Sequence, residues 1–223
     1  MLNRTLIISG LGGALLLAGA TSFAHVPYLE DADFSAEAPF VVKNIPQSKA
    51  MYGWLEGPAD VDYFVMQVNE PTRIYMHTNI PYCAEYEDFT VTYALTGPGL
   101  PEPDAELPIQ LPEGHGAIIV RDEFADVAER PVMYERFSSR VYYEGPAYSI
   151  DVETPGEYSM IVWHDSQDVG DYVAVIGKAE QFGPVDIWRA LTKSFQIRRG
   201  KELHFACTAD PGELDAAAQM SAL

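Results

Sequence analysis

The chain has little cysteine, little basic charge and, past its first residues, no long apolar run. Only Cys83 and Cys207 occur, and neither stands in a C-x-x-C pair. That spacing argues against reactive dithiol chemistry and excludes haem attachment through C-x-x-C-H. Lys and Arg total 14 against 33 Asp and Glu, a net charge of −19, so the surface repels nucleic acid and anionic lipid. The acids are scattered rather than gathered in a tail, which describes a solvated acidic shell and leaves calcium at a few loops as the metal chemistry they can support. Neither G-x-S-x-G nor H-E-x-x-H occurs, and paired carboxylates are too numerous for one pair to stand out. No catalytic residue is assigned, and a non-enzyme is expected. Internal repeats of 20–50 residues are absent, and helical patterning is scarce.

What is present begins with residues 1–24, which read as a secretory signal peptide. Arg4 supplies the basic start, residues 6–20 the apolar run, and Ser22 and Ala24 the small residues before the cut. The run of 15 residues falls short of the roughly 20 that a spanning helix needs. The expectation is an exported protein, periplasmic or extracellular, with no integral membrane segment in the mature chain. Export places the two cysteines in a compartment that permits a Cys83–Cys207 disulfide, which would tie the C-terminal segment to the body. Two unpaired thiols are the competing reading.

Beyond residue 25, short segments rich in Val, Ile, Tyr and Phe alternate with Pro and Gly, the pattern of an all-β sandwich. Strands are expected at 50–55, 61–68, 73–78, 89–95, 117–120, 139–143, 148–152, 158–163 and 172–176. In 61–68, Phe64, Met66 and Val68 share one face, opposite Tyr63, Val65 and Gln67. Five prolines in 97–116 predict an extended surface excursion rather than a strand pair, and the charge-rich 122–136 a second loop. After Gly183-Pro184, the residues Ile187, Trp188, Leu191 and Phe195 fall on one face of a short helix expected to pack on the sandwich; a partner-binding helix is the alternative. The fold class predicted is therefore an antiparallel β-sandwich, jelly-roll-like, with inserted loops and a short C-terminal helix. Residues 25–180 form the sandwich domain with insertions at about 97–143, and residues 181–223 form a C-terminal extension with helix and tail.

Asp60-Val61-Asp62-Tyr63-Phe64, with Thr154-Pro155-Gly156-Glu157-Tyr158 and Gly170-Asp171-Tyr172-Val173-Ala174-Val175, resembles the bacterial pre-peptidase C-terminal domain over roughly residues 51–177. The resemblance implies a small β-sandwich that accompanies extracellular enzymes and helps in secretion, stability or polymer binding; some relatives bind calcium through loop acids. No enzyme domain accompanies it here, so only the fold carries over.

Three candidate sites remain. Cleavage after Ala24 would give His25 both an α-amine and a ring nitrogen for copper, with His77, His115, His164 or His204 as second ligand. His115, between Gly114 and Gly116, is the most accessible of these; the alternative is an incidental His25. Asp165, Asp168 and Asp171 put three carboxylates beside a glycine turn, either a calcium loop or an ordinary solvated hairpin turn. Tyr134, Tyr142 and Tyr143 form either a ligand platform or core packing. The function expected is an exported, non-catalytic accessory or binding β-sandwich that engages a partner protein or extracellular polymer through its inserted loops. The alternative is a periplasmic copper protein using His25.

Overall fold

The computed structural model describes residues 25–124, 129–135, 138–164, 168–204 and 207. The expected signal peptide lies outside the described residues. Twelve strands form two sheets among them. One contains β1 (Val26–Leu29), β3 (Lys49–Leu55), β12 (Gly170–Ile176), β5 (Thr72–Pro81), β9 (Arg140–Glu144) and β8 (Val132–Glu135) in that order, with β10 (Tyr148–Val152) also paired to β5. The other runs β2 (Phe40–Val41), β4 (Val61–Val68), β11 (Gly156–Trp163), β6 (Thr92–Pro98), β7 (His115–Arg121). The chain is an all-β sandwich with one short C-terminal helix, α1 (Pro184–Ile197).

Strict alternation builds the core. Along β4, Phe64, Met66 and Val68 are buried while Gln67 is exposed, as the period-2 pattern requires. These side chains meet Met51, Leu55, Ile74, Met76, Tyr93, Leu95, Met160 and Tyr172 between the sheets. β12 instead is buried along its whole length, because a second, smaller cluster of Ala50, Tyr52, Tyr142, Val173, Val175 and Ile197 covers its outer face beneath the end of α1. Burial on both faces explains why Tyr172-Val173-Ala174-Val175-Ile176 reads as a continuous apolar run.

The structure corrects four expectations. The sandwich is mixed rather than wholly antiparallel: β1 pairs parallel to β3, and β2 parallel to β4. Residues 97–116 are partly a strand pair, since Gly97 pairs with Gly116 and Pro98 with His115 at the end of the β6–β7 hairpin. Prolines are tolerated there because they stand at the hairpin's outer end and in its return, where the Ala117 amide donates to the Pro101 carbonyl at 2.8 Å. Residues 122–136 contain β8, which pairs with β9.

The fourth correction concerns α1. Its apolar stripe faces out, not in: Ile187, Trp188, Leu191 and Phe195 are 52%, 70%, 58% and 55% exposed, while Ser194 and Ile197 are buried. Polar contacts set this orientation. Asp186 Oδ2 accepts from the Gly183 amide at 3.0 Å and from Gln47 Nε2 at 2.9 Å, fixing the first turn. Arg140 Nε and Nη2 donate to the Ile197 carbonyl at 3.2 and 3.0 Å, fixing the last. Between them Arg189 stacks over the Tyr28 ring at 4.4 Å, and Lys193 pairs with Asp31 at 3.9 Å.

Candidate functional site

Two surfaces carry chemistry beyond packing. The first is a histidine pair on the outer face of the β1–β3–β12–β5 sheet. His25 immediately precedes β1, and His77 lies on β5 opposite Val175. The pairing order brings their rings to a centroid separation of 6.3 Å at an interplanar angle of 64°. His25 Nδ1 lies 2.5 Å from Ser48 Oγ. His77 is 6% exposed, and its Nδ1 is buried with no hydrogen-bond partner. Its Nε2 sits 3.3 Å from Asn79 Nδ2. An amide nitrogen only donates, so His77 Nε2 accepts and Nδ1 carries the proton in this arrangement. Flipping the Asn79 amide, whose Oδ1 is also unpartnered, would select the other tautomer and free Nδ1 as a ligand. Burial pushes the His25 imidazole below its ordinary value; burial, then the charges of His25 and Lys178, push His77 down to about 3. Both rings are neutral at neutral pH, the form that binds metal.

His115, named from sequence as the accessible second ligand, is not part of this pair. It opens β7 in the other sheet and lines a shallow cleft of about 520 Å³ with the proline-rich residues 102–112. Gly114 has open space around it, but Gly116 is packed against the Leu100 and Pro101 carbonyls, and topology assigns His115 to the opposite layer.

The acidic turn is not assembled as a three-carboxylate loop. Asp165 lies outside the described residues. Asp168 is exposed and pairs with His164 Nε2 at 3.7 Å. Asp171 is 2% exposed and engaged elsewhere: its Oδ2 accepts the Tyr86 hydroxyl at 2.5 Å and the His204 amide at 2.8 Å, and its Oδ1 lies 2.7 Å from His204 Nδ1. Its place on β12, opposite Trp54, puts it on the outer face of the sheet with Val173 and Val175, where the C-terminal segment rather than solvent covers it. His204 stacks on Trp54 at 4.2 Å, so Asp171 anchors the C-terminal segment.

The tyrosine platform is also corrected. Tyr142 and Tyr143 are each 4% exposed, on alternate sides of β9; Tyr143 enters the central core and Tyr142 the cluster beneath α1. Tyr134 is half-buried on β8. Adjacent residues on a strand cannot present one aromatic surface. The expected Cys83–Cys207 disulfide is formed, with Cα atoms 5.4 Å apart.

The second surface is the outward stripe of α1. Ile187, Trp188, Leu191 and Phe195 make a continuous apolar face at helical spacing. Residues 184–201 hold Arg189, Lys193, Arg198, Arg199 and Lys201 against one acid, Asp186, in a chain that is otherwise strongly acidic. Arg199 lies over the Phe195 ring at 3.9 Å. No helix among the described residues is long and apolar enough to cross a membrane.

No family model matches the chain, and no curated protein is significantly similar to it.

Proposed function

We propose that the chain is an exported accessory β-sandwich that docks through α1 into an apolar groove on a partner protein. The observation that carries this reading is the outward stripe of Ile187, Trp188, Leu191 and Phe195, each more than half exposed on a helix whose two ends are hydrogen-bonded to the sandwich. Helix-in-groove recognition uses anchors at this spacing, and a helix already held in place loses little conformational entropy on docking. Five cations in 184–201 beside one acid match a groove with an acidic rim. The resemblance of residues 51–177 to pre-peptidase domains and the signal-like residues 1–24 support an accessory role outside the cytoplasm; the disulfide is in keeping with it.

Site-specific photo-crosslinking in the native host tests the reading. A crosslinker at Leu191 should give one discrete protein adduct that is absent from a crosslinker at exposed Glu157 and lost in Trp188→Ser. Adducts only to a second copy of the chain, or only to lipid, would overturn it.

The histidine pair favours a second reading, a copper protein. Two imidazoles bound on opposite sides of one ion, each at a metal–nitrogen distance of about 2.0 Å, have centroids roughly 6 Å apart. His25 and His77 stand at 6.3 Å. Cleavage after Ala24 would add the α-amine of His25 as a third nitrogen. Cu(II) added to the processed protein should then give an electron paramagnetic resonance spectrum with nitrogen couplings that His77→Ala abolishes and His115→Ala leaves intact; an unchanged spectrum in His77→Ala would remove this reading.

A further inference from the structure

The segment that follows β1 turns through Glu30, Asp31, Ala32 and Asp33 beside the start of β4. One carboxylate oxygen from each of Glu30, Asp33 and Asp62 lies within 4.8 Å of the others. Three acids together would by themselves say little, but Asp62 is unlike a surface acid. It is 0% exposed, one of its oxygens accepts the Tyr172 hydroxyl, and the other, Oδ1, is buried without any hydrogen-bond partner. A buried carboxylate oxygen with no donor and other carboxylates within reach is a ligand position in want of a cation.

The neighbours are held to suit. Glu30 Oε1 accepts the Phe34 amide at 3.1 Å and Oε2 the Trp54 amide at 2.8 Å, which leaves each oxygen a further lone pair. The Phe34 carbonyl accepts the Tyr63 amide at 2.7 Å, tying the turn to β4 next to Asp62. Asp33 is exposed, at the mouth. Asp60 adds a fourth negative charge, its Oδ2 accepting the Glu56 amide at 2.7 Å. After its burial, the charges that bear most on Asp62 are those of Glu30, Asp60 and Asp33, all negative. A cleft of about 200 Å³, lined by Glu30, Asp31, Asp33, Trp54 and Glu56 among others, adjoins the cluster and has room for water.

We propose that Glu30, Asp33 and Asp62 form a calcium site that clips the segment after β1 onto the start of β4. The donor set is entirely hard oxygen, and donors sharing one Ca²⁺ at 2.3–2.6 Å can stand up to roughly 5 Å apart. Two carboxylates fixed by the fold and one at the surface make an irregular shell that water from the cleft completes. Calcium accepts such a shell, whereas magnesium demands near-ideal octahedral geometry. This site is separate from the 165–171 turn, and it stands independently of what α1 docks against.

Calcium titration of the chelator-treated full chain, followed by calorimetry and thermal unfolding, tests the site. The expected result is one Ca²⁺ per chain with Kd at or below about 1 mM, the weak end for extracellular modules. Tm should rise by roughly 5–10 °C at a hundredfold excess over Kd. Asp33→Asn, an exposed change that leaves the metal-free Tm within about 2 °C, should weaken binding at least roughly tenfold. Asp62→Asn should abolish the calcium response while the metal-free protein stays folded. Tb³⁺ should give luminescence sensitised through Trp54 and displaced by Ca²⁺. No calcium-dependent heat or Tm shift, a shift that survives both substitutions, or an equal response to Mg²⁺ would overturn the proposal.

Discussion

At the residue scale, two buried tyrosine–aspartate pairs brace the sandwich. Tyr172 donates to Asp62, and Tyr86 donates to Asp171. The first depends on a glycine. Gly53 lies opposite Tyr172 across β3 and β12, and a Cβ there would stand 2.7 Å from the Tyr172 ring and hydroxyl. Gly53→Ala should therefore cost about 1–3 kcal/mol, measured by urea unfolding, because the displaced ring also leaves Asp62 without its donor. A second buried acid gives a pH dependence. Glu202 is 8% exposed, and burial raises it from 4.5 to about 7 even though Arg140 Nε lies 3.2 Å away. The folded state binds that proton more tightly than the unfolded chain, so the contribution is complete below about pH 4.5 and is lost as pH rises through about 7. The urea midpoint should fall between pH 5 and pH 8, and fall less in Glu202→Gln; an equal fall would show that Glu202 is not the group responsible. Sequence displayed Asp62 and Asp171 as members of family-like motifs but not their partners. Tyr172 stands 110 positions from Asp62 and Tyr86 stands 85 positions from Asp171, so only the folded arrangement of the strands brings each pair together.

At the element scale, the strands with clean alternation or dense apolar content were legible, and those at edges were not. β4 announces itself through Phe64, Met66 and Val68. β8 is four residues amid charge, β2 is two residues, and β1 carries Pro27 in a parallel edge pair, so none offers a period to read. The helix shows the limit of amphipathic reasoning. Its stripe is plain in sequence, but the rule that such a stripe turns inward assumes an apolar seat without competing anchors. Here Ile197 and the aromatic rings of Tyr52 and Tyr142 already fill that seat, and Asp186, Arg189 and Lys193 fasten the polar side. Two substitutions separate the faces. Leu191→Glu should change stability by no more than about 0.5 kcal/mol, as an exposed position does. Ile197→Ala should cost about 2–5 kcal/mol. Comparable losses from both would mean that the outer stripe is covered within the chain, and the docking role of α1 would fall with it.

For the whole molecule, the decisive crosslink joins the end of β5 to the C-terminal segment. Cys83 and Cys207 are 124 positions apart, so the bond closes most of the sandwich into one loop. Loop entropy alone assigns such a closure about 4–5 kcal/mol. The bond also sets the path of the segment after α1, along which Glu202 meets Arg140 and His204 meets Asp171 and Trp54. α1 itself does not rely on it, because Gln47 and Arg140 hold both its ends. Replacing both cysteines, Cys83→Ser with Cys207→Ser, should accordingly lower stability by about 4 kcal/mol and Tm by roughly 8–16 °C. The chain should nevertheless remain folded and keep its α1 crosslink. Released from Cys83, the segment should become open to trypsin at Lys201 before the sandwich is cut, since only a few contacts such as Arg140–Glu202 and Asp171–His204 then hold it to the body. Wild-type and double-mutant digestion followed by mass spectrometry distinguishes the outcomes: early cleavage at Lys201 in the mutant alone shows a clamp on the C-terminal segment. Simultaneous cleavage throughout the chain would show that the disulfide supports the sandwich core directly.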